Sequence, residues 1–244
     1  MRISGTAAAV RSSGKIMKSV AYRFSQRLLL FAWLALVAIV VSAQSASQRT
    51  AVIISISDFE PGSRGWKTKS FQGLTQYALV DEGGSKVLAA HSQDAASGVF
   101  FEIEYSLEDF PILSWRWKIE RTLAKGDART KAGDDYAARI YVVFPHWFYP
   151  KTRSINYIWA NRLPKGESIA NPFTANAMML ALQSGDEQAG VWITERRDVR
   201  ADYQRLFGEE PAAVGAIAIM TDTDNSHSEA RAWFDDLRIE SGPP

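Results

Sequence analysis

The sequence contains no cysteine. That absence excludes disulfides, thiolate-held zinc and thiol catalysis together. Its three histidines, His91, His146 and His227, are scattered and show no metal-ligand spacing. There is no GxSxG elbow and no glycine-rich phosphate loop, so the marks of serine hydrolases and of nucleotide binders are both missing. No internal repeat or low-complexity tract is visible. Long apolar runs are nearly absent too. The one such run, Leu28–Val41 (LLLFAWLALVAIVV), has 14 residues, short of the roughly 20 that a membrane-spanning helix needs.

That run has the layout of a signal peptide. Arg23 and Arg27 precede it, and Val41-Ser42-Ala43 places modest or small residues at the −3 and −1 positions, so cleavage is expected after Ala43. A retained N-terminal anchor is the alternative, and Met17 is a second plausible start. Residues 1–43 carry six basic side chains and no acid; removing them from a chain of net charge +1 leaves residues 44–244 at −5. The expected product is exported, periplasmic or extracellular, with no stable membrane span after cleavage. Its acidic balance argues against nucleic-acid binding, which runs on basic surface.

What remains is rich in short β-branched and aromatic runs separated by Gly, Pro, Asp and Asn. Strands are expected at Ala51–Ser57, Thr75–Val80, Lys86–His91, Val99–Tyr105, Ile112–Glu120, Tyr136–Phe144, Ile155–Ala160, Ala177–Gln183, Val191–Arg196, Val214–Thr221 and Ala230–Ile239. Pro61-Gly62, Gly83-Gly84, Ser97-Gly98, Ser184-Gly185-Asp186 and Asp224-Asn225 punctuate them. One helix stands out over 199–207. Asp198 is its N-cap, Val199, Tyr203, Leu206 and Phe207 form one face, and Gly208 follows its end. Asp202 and Arg205, three apart, read as a solvated pair on its surface. The fold class expected is all-β, a single antiparallel β-sandwich of jelly-roll type over 44–244 with one short helix.

Alternation along two strands gives that sandwich chemical content. In Ile112–Glu120, Leu113, Trp115, Trp117 and Ile119 share one side while Arg116 and Lys118 share the other. In Tyr136–Phe144, Arg139 and Tyr141 oppose an apolar set. If the two strands lie in one sheet, Arg116, Lys118, Arg139 and Tyr141 line a single cationic face. Asp134 and Asp135 just before Arg139 are then ligand contacts, with Asp135 orienting hydroxyls, or else caps on turn N–H groups with one of them paired to a half-buried arginine. Trp159 stacks a sugar ring or packs in the core. The ligand expected is a glycan or polysaccharide, and the cations favour an anionic one. A polysaccharide hydrolase or lyase using Asp134 or Asp135 with Arg139 is the second reading, and an envelope scaffold without ligand the third. Asp58 and Glu60 follow the first strand and Asp235 lies in the last. If terminal strands pair, these oxygens suit a structural Ca²⁺, a hard cation.

Five segments carry a resemblance: LSWRWKIE, KAGDDYAARIYVVF, INYIWAN, ERRDVRADYQRLFGEEP and AIMTDTDN. Together they resemble the bacterial family catalogued as domain of unknown function 3047, over roughly Phe59 to Ile239. The resemblance implies an exported bacterial protein and supplies no catalytic residues. The opening DFE…GW and the closing WFDDLRIE are similar to carbohydrate-binding jelly rolls of the galactose-binding type. That second resemblance implies a structural calcium near the ends of the domain.

Overall fold

The computed structural model describes residues 51–56 and 65–242. The expected signal segment and the calcium candidates Asp58 and Glu60 lie outside the described residues. Two sheets form a sandwich. One has six strands: β1 (Ile53–Ser55), β3 (Gln76–Glu82), β4 (Ser85–Gln93), β6 (Ile112–Ile119), β11 (Ile193–Asp198) and β13 (Glu229–Glu240). Its order is β11-β6-β13-β4-β3, with β1 paired to β13. The other has seven: β2 (Trp66–Gln72), β5 (Ala96–Tyr105), β7 (Arg139–Phe144), β8 (Arg153–Ala160), β9 (Ser168–Asn171), β10 (Thr174–Ser184) and β12 (Val214–Asp222). These run in the order β2-β5-β12-β7-β8-β10-β9.

The pairings are antiparallel except that β10 runs parallel to β8. The chain leaves β8, lays β9 down at the sheet edge, and returns to fill the place between them. Two strands have no counterpart among the expected ones. β2, WKTKSFQ, is exposed along almost its whole length, and its lysines suit an edge that must not recruit another strand. β9 has only four residues, too few to show a period.

The inner faces hold the core. From β6 come Leu113, Trp115, Trp117 and Ile119; from β7, Ile140, Val142 and Phe144; from β8, Ile155, Tyr157 and Trp159, all essentially inaccessible. The two sheets interlock through aromatic rings. Trp115 and Tyr157 lie 5.3 Å apart, and Trp117 and Trp159 lie 5.9 Å apart, centroid to centroid. Burying side chains of this size contributes about 1.5–3 kcal/mol each, which is how a chain without disulfides sustains the fold.

The helix α1 (Val199–Phe207) forms for the reasons its sequence suggests. Asp198 accepts from the Ala201 N–H at 2.9 Å, and Gly208 takes a left-handed φ of 74°, the conformation glycine adopts without strain. Tyr203 packs on Phe144 at 4.6 Å. Asp202 pairs with Arg205 at 3.2 Å as expected, but it is not solvated. It is 3% exposed and accepts from the buried Tyr157 hydroxyl at 2.9 Å and from the Arg197 Nε–H at 2.9 Å, so it pins the helix to the sandwich. Among the described residues no helix is long and apolar enough to cross a membrane.

Candidate functional site

The four residues expected on one face divide between two. Arg116 and Lys118 lie on β6 in the six-stranded sheet, whereas Arg139 and Tyr141 lie on β7 in the seven-stranded sheet. Strand alternation places each side chain away from the core as expected. The chain between β6 and β7 crosses to the other sheet, so the two outward sides face opposite ways and no single cationic face exists.

The surroundings of Arg139 close off the recognition surface expected there. Its residue is 5% exposed. The guanidinium pairs with Asp222 and donates to the Met220 sulfur at 3.4 Å. The rings of Tyr136 and Tyr141 flank it at 5.1 and 5.2 Å. Burial disfavours its charge, but Asp222 beside it holds the guanidinium pKa above its ordinary value. Burial raises the Asp222 carboxyl pKa above its ordinary value; Arg139 opposes this, and Asp135 and Asp134 add to it.

Asp135 and Asp134 are equally enclosed. Asp135 is fully buried and accepts from the backbone N–H of Ser226 at 2.6 Å and of Asn225 at 3.3 Å. It anchors the turn before β13 rather than orienting a ligand. Asp134, 6% exposed, accepts from the Tyr136 hydroxyl at 3.1 Å and from Asn171 Nδ2 at 2.8 Å. As placed, neither is open to a polysaccharide chain as acid or base. Trp159 is corrected as well. It lies wholly in the core and donates its indole N–H to the Gly185 carbonyl at 3.0 Å, so it presents no ring to a sugar.

The outer face of the six-stranded sheet is different. Lys118 sits 4.4 Å above the ring of Trp233 and 5.2 Å from that of Trp192. The Arg116 guanidinium lies 4.7 Å over the Trp192 ring. Both indoles are half-buried. Arg116 donates through Nε to Asp235 at 3.1 Å and approaches Asp236 at 3.3 Å. Lys118 pairs with Glu82, which also accepts from Trp192 Nε1 at 3.2 Å.

Alternation explains who is present. Trp233 lies between the buried Ala232 and Phe234 on β13, and Glu82 alternates with the core-packed Tyr77 and Leu79 on β3. Trp192 precedes β11, whose Ile193 packs inward opposite Trp117. Cations over indole faces are favourable by about 0.5–2 kcal/mol depending on desolvation, so this cluster is ordered and still partly open to solvent.

Of the calcium candidates, only Asp235 is described, and it is engaged by Arg116. A different set of carboxylates converges. Asp135, Asp222 and Asp224 each bring an oxygen within 4.8 Å of the others. Oxygen donors of this kind fit a hard cation, although Asp222 is already taken by Arg139 and Asp135 by backbone N–H groups.

A family model matches residues 64–238, most of the chain and all five segments singled out above. The chain belongs to the family described as protein of unknown function (DUF3047). No curated protein matches this DUF3047 chain. Among solved structures it is similar to the xyloglucanase domain of NopAA, a type three effector from Sinorhizobium fredii, in complex with cellobiose. That match has 10% identity and a TM-score of 0.43 and covers 81% of this chain and 100% of the other. It is also similar to a family 29 carbohydrate-binding module from Piromyces equi, with 10% identity and a TM-score of 0.35 over 79% of this chain and 92% of the other. A third is a xylan-binding module of family 15, with 11% identity and a TM-score of 0.36 over 79% and 97%. These values describe chain path only.

Sequence reasoning did not single out Trp233 or Glu82. For Trp233 a signal existed, since WFDDLRIE alternates and Phe234 takes the core side. For Glu82 none did, because its partners lie across the sheet, Lys118 on β6 and Trp192 just ahead of β11.

Proposed function

We propose that this DUF3047 protein is an exported glycan-binding module whose ligand lies on the outer face of the six-stranded sheet. The observation that carries the reading is the pair of half-buried indoles, Trp192 and Trp233, with Lys118 between them and Arg116 alongside. A sugar ring offers an apolar C–H face that stacks on an indole and hydroxyls that need charged or polar partners. This face supplies both within one patch. Asp235 adds an acceptor beside Arg116. In this reading Arg116 and Lys118 are ligand contacts, and Trp233 and Trp192 take the place of Trp159 as platforms.

The test is a glycan array with the wild-type protein, Trp233→Ala and Trp192→Ala. The exposed Trp147→Ala, on a different loop and 92% exposed, is the control. Loss of stacking at about 1–2 kcal/mol corresponds to roughly tenfold weaker signal or more for the first two and no change for the control. An array on which the wild-type protein gives no signal, or on which both indole variants match it, removes the reading.

A further inference from the structure

Glu82 and Trp192 meet from opposite edges of the same sheet. β3 and β11 are the first and last strands of the order β11-β6-β13-β4-β3, four strand intervals apart. Laid flat, that is about 19 Å, more than two side chains can bridge. Yet Glu82 accepts from the Trp192 indole N–H at 3.2 Å and from Lys118. Side chains from the two edges therefore meet over the outer face, where one glutamate oxygen takes both the indole N–H and the Lys118 ammonium. Glu82 is followed at once by Gly83 and Gly84, with φ of 62° and 86°, the two positive values a tight hairpin turn requires. The clasp thus sits at the tip of an edge hairpin that β4 alone holds.

We infer that Glu82 is a built-in stand-in for the acidic group of the ligand, so that the face admits a carboxylate-bearing glycan by exchange and excludes neutral ones. This rests on the glycan reading of that face. Lys118 is only 14% exposed in its side chain, and a cation so enclosed is costly without an anion beside it. A neutral sugar that displaced Glu82 would leave Lys118 unpaired, whereas a ligand carboxylate takes over both the ammonium and the indole N–H. The specificity arises from that difference.

The experiment compares wild type and Glu82→Gln by titration calorimetry with tetragalacturonate and with its fully methyl-esterified, uncharged form. Glutamine keeps the acceptor for Trp192 and removes the competing charge. The acid is expected to bind Glu82→Gln about tenfold more tightly than wild type, the gain of one charge-assisted contact. The ester is expected to bind neither protein measurably better than the other. The Trp192 indole proton resonance should move on titration with the acid. Equal affinity of the acid for both proteins overturns the clasp and leaves the glycan reading standing, as does equal affinity of acid and ester for wild type. Silence of both proteins toward the acid overturns the acidic-ligand inference, and the array then decides the glycan reading on its own. A thermal melt of Glu82→Gln confirms that the variant is folded.

Discussion

Arg116 and Arg139 present the same local pattern, a single arginine alternating with apolar residues on a strand of the sandwich, yet they end in opposite circumstances. The Arg116 side chain is 28% exposed beside two half-buried indoles. That of Arg139 is 6% exposed and paired with an equally enclosed Asp222. What differs is the covering. Over the seven-stranded sheet a second hydrophobic cluster forms on the outer side, with Tyr136, Leu163 and Ala128 packed on Ile158, Ala160, Met179 and Ala181, and Arg139 is sealed at its margin. Over the six-stranded sheet Trp192 and Glu82 meet above Lys118 and leave Arg116 partly exposed. Alternation chooses the side of the sheet, and the loops laid over that side choose between a site and a scaffold.

The contrast is tested most strongly by Arg139→Met against Arg116→Met. Removing one member of a buried pair typically costs about 3–5 kcal/mol because the other charge is left uncompensated. Arg116 keeps more contact with water, and Asp235 beside it is 13% exposed rather than sealed, so its loss should cost less. Urea unfolding of the two variants should show that gap. The cost of Arg139→Met should also shrink on acidification, because the stranded Asp222 carboxyl, already pushed up by burial, then takes a proton. The double variant Arg139→Met with Asp222→Leu should recover much of the loss. Equal costs for the two single variants would erase the distinction between the faces.

Much of the fold was legible because it rests on local rules. The alternation of Leu113, Trp115, Trp117 and Ile119 is enough to place β6, and Asp198 and Gly208 are enough to bound α1. The failures have physical causes. Along β8 the core side carries Ile155, Tyr157 and Trp159, but the outer side carries Ile158 and Ala160, covered by the second cluster. With both sides apolar, alternation could not say whether Trp159 faced in or out. The shared cationic face failed because nothing local says that the chain changes sheets between β6 and β7. The clasp of Glu82 on Lys118 and Trp192 joins side chains from separate parts of the sheet, which no single strand encodes.

The smallest expected effect concerns the acids around the sealed arginine. Burial raises the Asp224 carboxyl pKa, and the charge of Asp135 raises it further. A carboxyl whose folded pKa lies above its unfolded value of 3.8 contributes stability that is full below that value and is lost as pH rises through the folded pKa. At pH 7 the charged form of Asp224 is therefore less favourable to the fold than the neutral carboxyl. Asp224→Asn keeps an oxygen for the Asn225 side-chain N–H and removes the repulsion, so it should raise the melting temperature by about 1–3 °C at pH 7 and leave it unchanged near pH 3.5. Glu195 and Glu229 also titrate with shifted values, but they are common to both proteins and cancel in the difference. Thermal melts of wild type and variant at the two pH values measure it. A variant less stable than wild type at pH 7 would mean that the charge on Asp224 is needed. If added Ca²⁺ then stabilised wild type and not the variant, the convergence of Asp135, Asp222 and Asp224 would be a cation site, and the sealed face would hold a ligand of its own.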